Sequence, residues 1–379
     1  MKEYDSDHSP IMVEDPSDLT QALQSITHNL PAADTIFSSA GDDVVFGDAA
    51  RMYLHGKEVT LATYVAAMLG TVPSTKEVLD YVHEHAEEIN ANLVVNTDDK
   101  NPDQPDALLG GTGNDVLFGQ GGDDLLIGDG SDAASGSGAQ DTLDLLIERY
   151  DLTPQGDNTS VTTQQIVDAI HDDSDNLSTW LEGLENGGAA GADKADGNDI
   201  LFGGSGNDVI FGMGGDDFID GGSGRDTIYA GSGNDIIVYD SNDYLVSGGS
   251  GIDFMVSDDS KLTMDTLLGG GQNSNEGPIV DSIEVLITGT DALSLTSLEQ
   301  MAEKYGITIN GSSLELKNDL WTVDGDGYRF TGDLDSDGTP DDLFLQVNSK
   351  TDAHVSVELV SSDDIAEAMQ RAEIEHSNG

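Results

Sequence analysis

Between Gly197 and Val256 the chain repeats one nine-residue pattern: GGSGNDVIF at 203–211, GMGGDDFID at 212–220, GGSGRDTIY at 221–229 and AGSGNDIIV at 230–238. Asp keeps the same phase at Asp199, Asp208, Asp217, Asp226, Asp235 and Asp253, and Tyr244 takes its place in one repeat of unchanged length. Few folds accommodate such a chain. The glycine pairs Gly203 and Gly206, Gly212 and Gly215, Gly221 and Gly224, Gly231 and Gly233, and Gly248 and Gly251 permit backbone conformations that a Cβ disfavours. Each half-repeat can therefore close into a tight turn with inward carbonyls. The Asp adds a carboxylate to those carbonyls, the all-oxygen surrounding that a hard cation such as Ca2+ prefers. Three residues rich in β-branched and aromatic types follow, as in Val209-Ile210-Phe211, with an apolar middle member: a short strand with one inward side chain. A single coil of turn, strand, turn and strand can neither bury its apolar residues nor complete a metal shell, so it works only when stacked. A flexible Gly-rich linker would not carry an apolar residue at the eighth position of each copy.

The same phase starts earlier. Asp34-Thr35-Ile36-Phe37 is an eroded copy, and a second follows with Asp43. After a gap come GGTGNDVLF (110–118) and GQGGDDLLI (119–127), which supply Gly110, Gly113, Asp115, Gly119, Gly122 and Asp124, and the block ends in Gly128-Asp129. Each block reads as a pair, hence one full coil. One continuous roll with two looped-out inserts then places Asp34 under Asp115 and Asp115 under Asp199, with Asp43 under Asp124 and Asp124 under Asp208.

These nonapeptides resemble the calcium-binding repeats of RTX (repeats-in-toxin) proteins. The resemblance implies a parallel β-roll, a mainly β solenoid in which one coil is two nonapeptides and each Ca2+ sits between turns eighteen residues apart. Carried onto this chain, the paired carboxylates are Asp199 with Asp217, Asp208 with Asp226, Asp217 with Asp235, and Asp235 with Asp253. About eight ions are expected in the roll. Asp226 faces Tyr244, so its site is expected to be weak or empty. The family also implies type I secretion by an uncleaved C-terminal signal, and hence an extracellular or surface-tethered location.

Charge constrains the partners. With 73 acidic and 14 basic residues the formal net charge is −59. Self-repulsion of that size opposes compaction unless counter-charges bind. Eight Ca2+ would cancel only about a quarter of it, but where the carboxylates are densest. Nucleic acid and anionic membranes are poor partners for such a chain. Cysteine is absent, which suits a chain exported unfolded and equally a small acidic protein. The first residues, MKEYDSDHSPIMVED, lack the basic and apolar regions of a cleavable signal. No apolar run reaches the length of a membrane span, which counts against a pore-forming toxin. The abrupt ends read as those of a piece of a longer polypeptide.

The remaining segments divide into a cap, two inserts and a terminal domain. Residues 1–33 are expected to cap the roll with a helix over Ser17–Asn29, because Leu19, Leu23 and Ile26 share one face. The roll is expected over 34–265, with inserts at about 49–108 and 130–196. The inserts resemble each other. Val78-Leu79-Asp80-Tyr81-Val82-His83 aligns with Ile166-Val167-Asp168-Ala169-Ile170-His171, each after a capping box (Ser74 with Glu77, Thr162 with Gln165) and an apolar segment (Leu61–Leu69, Leu143–Leu152). Both are expected to be helical hairpins packed on the roll, similar to inserts in the RTX regions of large bacterial adhesins. His83, His85 and Glu87 lie on one insert but lack the HExxH spacing of a zinc protease, so a solvated charged stripe is the expectation.

Residues 269–278 read as a linker, and 266–379 as a small α+β domain. Strands are expected at Ile283–Thr288, Gly306–Asn310, Ser313–Val323, Tyr328–Thr331, Leu343–Val347 and His354–Val360. A helix is expected between Thr296 and Gly306, and a final helix after Ser362. Asp333, Asp335, Asp337 and Asp341 fit successive positions of a DxDxDG calcium loop, but Phe344 stands where an EF-hand has Glu. One further Ca2+ or a polar hairpin turn are both open there. There is no GxSxG elbow, no HExxH and no cysteine nucleophile. A calcium-dependent structural segment is therefore the expectation, with a lipase- or protease-type hydrolase sited in the terminal domain as the alternative.

Overall fold

The computed structural model describes residues 2–4, 10–12, 35–38, 41–48, 50–94, 104–129, 138–155, 160–172, 197–264, 267, 279–281, 283–289, 297–333, 340–348 and 355–360. The strand after each turn alternates between two sheets. Ile200–Ser205, Phe218–Ser223, Ile236–Val238 and Phe254–Ser257 run parallel in one, with Ile200 level with Phe218 and Phe218 with Ile236. Val209–Gly214, Thr227–Ser232 and Leu245–Ser250 run parallel in the other. The chain is thus a parallel β-roll with one coil per pair of repeats.

The middle residue of each strand points between the sheets. Leu201, Ile210, Ile219, Ile228, Ile237, Val246 and Met255 form this inner core and are fully buried. Most flanking positions are apolar and buried as well, Asp220, Thr227 and Ser247 being polar, because the two inserts and the terminal segment cover the outer faces. The first insert opens with an unforeseen hairpin, Arg51–Leu54 and Lys57–Thr60, turned by His55-Gly56 with both φ positive. Helices α1 (Leu61–Leu69), α2 (Thr75–Glu84) and α3 (Ala86–Asn92) follow. Their Val65, Val82 and Ile89 cluster with Phe46, Phe118 and Phe202, whose rings stack 4.6 and 5.3 Å apart from coil to coil. The second insert contributes α4 (Gly138–Arg149) and α5 (Thr163–Asp172). Leu146, Val167 and Ile170 pack on Leu109, Ile127 and Phe211 of the opposite face. Both capping boxes form, Ser74 with Glu77 and Thr162 with Gln165.

The first coil differs in register from the sequence expectation. Thr35–Phe37 pairs with Ala107–Gly111, and Val44–Phe46 with Val116–Gly121. Asp43 therefore lies beside Asp115 instead of Asp124, and the strand after Asp34 does not stack on the one after Asp115. Asp34 itself lies outside the described residues. The cause is a further repeat, Asp106-Ala107-Leu108-Leu109, whose turn has Gln104 where the others have glycine and Pro105 where most have Asn or Asp. The second block is three strands, so the chain leaves for each insert in the middle of a turn.

The roll also extends past residue 265. Ile279–Asp281 pairs in parallel with Leu245–Ser250, and Val285–Thr288 with Phe254–Ser257. Glycine is dispensable there because each strand still offers branched apolar residues to the coil before it. Phe344–Val347, Gly327–Phe330 and Trp321–Asp324 then add antiparallel strands to the same sheet, so the terminal segment continues the roll. The strand expected over Ser313–Val323 breaks into Ser313–Lys317 and Trp321–Asp324. The first of these joins Ile307–Asn310 and Ser356–Val360 in a separate sheet, whose last pair is parallel. Ser297, not Thr296, caps the helical turns that Gly306 ends at φ 62°. At the other end, Lys2–Tyr4 lies antiparallel to both Thr35–Phe37 and Pro10–Met12. The helices expected at Ser17–Asn29 and after Ser362, and the linker 269–278, lie outside the described residues.

Truncating the inner core should be costly. Ile219→Ala is expected to lower the unfolding free energy of the calcium-loaded protein by about 2–5 kcal/mol in urea titrations. Val323→Ser, at a side chain 62 % exposed, should stay within about 0.5 kcal/mol.

Candidate metal ladder

Stacking brings the repeat carboxylates into two files, one along each edge of the roll. On one edge the backbone N–H of Asp43, Asp115, Asp199, Asp217 and Asp235 each donates to the Oδ1 of the next coil's Asp: Asp115, Asp199, Asp217, Asp235 and Asp253, at 2.8–3.0 Å. On the other, Asp106, Asp124 and Asp208 donate to Asp124, Asp208 and Asp226, each at 2.8 Å. The four pairs expected from the repeat spacing all meet in this way. Two file members were missed by the sequence reading. Asp106 is one, and Glu284 is the other; its Oε2 accepts from the Asp253 N–H at 3.2 Å in the place of a next Asp. The strand register that sets Glu284 beside Asp253 could be found only by extending the phase through SIEVLIT.

A second row braces the turns in the opposite sense. The residue just before the Asp is Asn or Asp in most copies, and its side chain accepts an N–H from the following coil. Asn198 N donates to Asn114 Oδ1 at 2.7 Å, Asp216 N to Asn198 Oδ1 at 2.9 Å and Asn234 N to Asp216 Oδ1 at 2.7 Å. The GND and GDD motifs carry this regularity in the sequence.

The remaining carboxylate oxygens converge on the turn glycines. A Cβ at Gly119 would stand 2.6 Å from Asp124 Oδ2 and 2.5 Å from the Gly203 carbonyl oxygen of the next coil. At Gly203 the corresponding atoms are Asp208 Oδ2 and the Gly221 oxygen, and at Gly212 Asp217 Oδ2 and the Ala230 oxygen. Each turn thus holds a carboxylate and a next-coil carbonyl at a small cradle. The cradle survives where the inserts interrupt the turn, at Gly47 with Asp106 and the Gly119 oxygen, and at Gly128 with Asp199 and the Gly212 oxygen. The fourth-position glycines are required for a different reason. Gly224 has φ 148°, and a Cβ there would fall on the Gly206 carbonyl.

These cradles fit Ca2+. Asp115, Asp124, Asp208 and Asp217 are fully or almost fully buried, and no N–H or O–H is directed at their Oδ2 atoms. A buried anionic oxygen without a donor is costly unless a cation or a proton meets it. The neighbouring donors are carbonyl and carboxylate oxygens, a hard-ligand set suited to calcium. Among the described residues no group of three or more His, Cys, Asp or Glu side chains is arranged to hold a metal, so backbone carbonyls are integral to these sites. His83 lies elsewhere: its ring nitrogens meet the carbonyls of Leu79 and Asn114 at 3.0 and 2.9 Å, docking α2 on a turn. His85 stacks on Tyr81 at 4.0 Å. Asp335 and Asp337 of the terminal acidic loop lie outside the described residues. Asp341 donates its N–H to the Gly332 carbonyl, and Asp333 is also described.

Tyr244 has a docking role where it interrupts the file. The Arg225 guanidinium lies 3.8 Å over its ring, and His171 of α5 meets the ring edge-on at 6.3 Å. His83 and His171, aligned in the two inserts, therefore both sit against turns of the roll.

Comparison with known proteins agrees with this geometry. The RTX calcium-binding nonapeptide repeat matches in four copies, over residues 31–51, 103–132, 195–228 and 214–246. The fold and its cradles define a calcium-binding β-roll built from RTX-type repeats over these residues. No curated protein and no solved structure gives a match.

Burial, and then the charge of Asp199, pushes the Asp115 carboxyl up to about 9 when no ion is bound. Burial, followed by neighbouring aspartates, likewise raises Asp124, Asp208 and Asp217 well above the ordinary carboxylate range. A carboxyl whose folded pKa is raised contributes stability below its unfolded value, and that contribution is lost as pH rises through the folded value. For Asp115 the loss runs from about 4 to about 9. In chelator, circular dichroism should therefore show the roll weakening as pH climbs through this range. With Ca2+ present the loss should be suppressed, and Ca2+ binding at neutral pH should release protons.

Proposed function

We propose that this chain is a calcium-assembled structural segment of a secreted or surface-tethered bacterial RTX protein, an adhesin, and that it is not an enzyme. The observation that carries this reading is the pair of buried carboxylate files, whose members face one another from coil to coil. In a calcium-poor cytosol the carboxylates can be buried only by taking up protons against neutral pH, and the chain stays extended enough for type I export. Outside the cell, Ca2+ at around millimolar concentration bridges successive turns and the coils stack. Asp115, Asp199, Asp217, Asp235 and Asp253 hold ions along one edge, and Asp106, Asp124, Asp208 and Asp226 along the other. The ion supplies charge neutralisation and cross-linking between coils. The inserts and the terminal strands supply the outer surface, which includes Val72 at 94 % exposure on the loop after α1.

Calcium titration of the chelator-stripped chain, followed by far-ultraviolet circular dichroism, is expected to show a cooperative gain of β signal that reverses on adding chelator. Asp217→Asn, at a carboxylate shared by coils on either side, should shift the midpoint to higher Ca2+ and flatten the transition. A fully compact chain without divalent ions at neutral pH would defeat the reading. So would robust turnover of casein or tributyrin by the folded protein, as far as its non-enzymatic part is concerned.

A further inference from the structure

The interrupted repeat at 239–244 holds a carboxylate that the nonapeptide pattern does not supply. Asp243 precedes Tyr244 and is 3 % exposed. Its Oδ2 accepts the Asp240 N–H at 3.0 Å, while its own N–H donates to the Asp240 carbonyl at 3.1 Å, and this reciprocal pair fixes the side chain. No N–H or O–H is directed at Asp243 Oδ1. The carboxyl of Asp226 lies within hydrogen-bonding reach of the Asp243 side chain; it is itself fully buried, and no N–H is directed at its Oδ2.

The turn beneath explains why an extra carboxylate is useful here. Around Gly203 a Cβ would meet both the carboxylate of its own repeat and the Gly221 carbonyl of the next coil. Around Gly221 the three nearest atoms, at 2.7 to 3.1 Å, all belong to Asp226. The next coil has turned away to present Tyr244, whose N–H bonds to the Asp226 carbonyl at 2.7 Å. No next-coil oxygen comes within 3.1 Å of this cradle, where Gly119, Gly128, Gly203 and Gly212 have one at 2.5–2.8 Å, and the Asp243 carboxylate is the added oxygen donor beside it. The Arg225 guanidinium, which could have neutralised the pair, is spent over the Tyr244 ring.

We propose that Asp226 and Asp243 form a further divalent-cation site at the end of this file, with the Asp243 carboxylate replacing the next-coil oxygen of an ordinary repeat. The site accepts Ca2+, since its donors are oxygens only. It closes the file at the coil where the repeat's own acid is lost, and it would tie the 239–244 turn to the coil below while Tyr244 remains available to α5. Burial raises both carboxyls in the ion-free chain, Asp226 to about 7 and Asp243 to about 8. This inference rests on the calcium reading of the roll and adds one site to it.

The test is the calcium content per chain of the full-length protein after equilibrium dialysis, measured by plasma emission for wild type, Asp243→Asn and Asp217→Asn. Asp243→Asn is expected to bind one ion fewer than wild type and keep the rest. An unchanged count in Asp243→Asn, with ions lost from Asp217→Asn, overturns the added site and leaves the ladder standing. A wild-type chain that binds no calcium overturns both. Should Asp243→Asn fail to fold, the anomalous difference map of calcium-loaded wild-type crystals decides. A peak between Asp226 and Asp243 supports the site, and its absence beside peaks elsewhere in the ladder overturns it.

Discussion

Like charges held one coil apart are the constraint on which this molecule turns. Strands in a sheet lie about 4.8 Å apart, and two unit charges at that separation repel by about 3 kcal/mol at an effective dielectric of about 20. Every added coil brings two such pairs, one on each edge. It also buries two inner aliphatic side chains, worth about 1.5–3 kcal/mol each. The two quantities are of similar size, so the charged acid groups offset about what the inner side chains contribute. A cation or a proton at the files decides the balance, and everything built on the roll inherits that dependence.

The inserts and the terminal strands answer a second problem, the outer faces. Phe46, Phe118 and Phe202 on one side and Leu109, Ile127 and Phe211 on the other would stand in water on a bare roll. Each insert is long enough to lay a helical cover over one face, and the two covers lie on opposite sides. The terminal strands extend one sheet antiparallel from Val285–Thr288, so the last parallel strand of that sheet is not left as an open edge. Stability of cover and roll is thereby mutual. The helices bury their apolar faces only if the strands have stacked beneath them.

Much of this was legible from residue spacing, because a nine-residue period fixes both phase and partner. The pairing of Asp199 with Asp217 and of Asp124 with Asp208 needs no more than counting. Legibility failed where a position tolerates more than one residue. Gln104-Pro105 make an acceptable turn without glycine, which hid Asp106 and shifted the first coil. Glu284 reaches the place of an Asp with one more methylene. Asp243 lies one residue out of phase, and only its burial beside Asp226 gives it meaning. The hairpin at 51–60 was hidden for another reason: His55 adopts positive φ without being glycine or asparagine. The break between Ser313–Lys317 and Trp321–Asp324 is set by packing, since Trp321 Nε1–H must reach the Tyr305 carbonyl at 2.7 Å.

Both inserts leave the roll immediately after a Gly-Asp step and return just before the aspartate of the same turn. In the first, the strand after the exit is clasped to the end of α3, with the Val94 N–H on the Arg51 carbonyl and Met52 bridged to Leu93. The host therefore sees only a closed loop whose two stems are neighbours, whatever lies between them. A scaffold with such sockets can exchange its appendages without altering its own architecture, and new surface chemistry can be acquired by grafting while the mineral spine underneath stays the same.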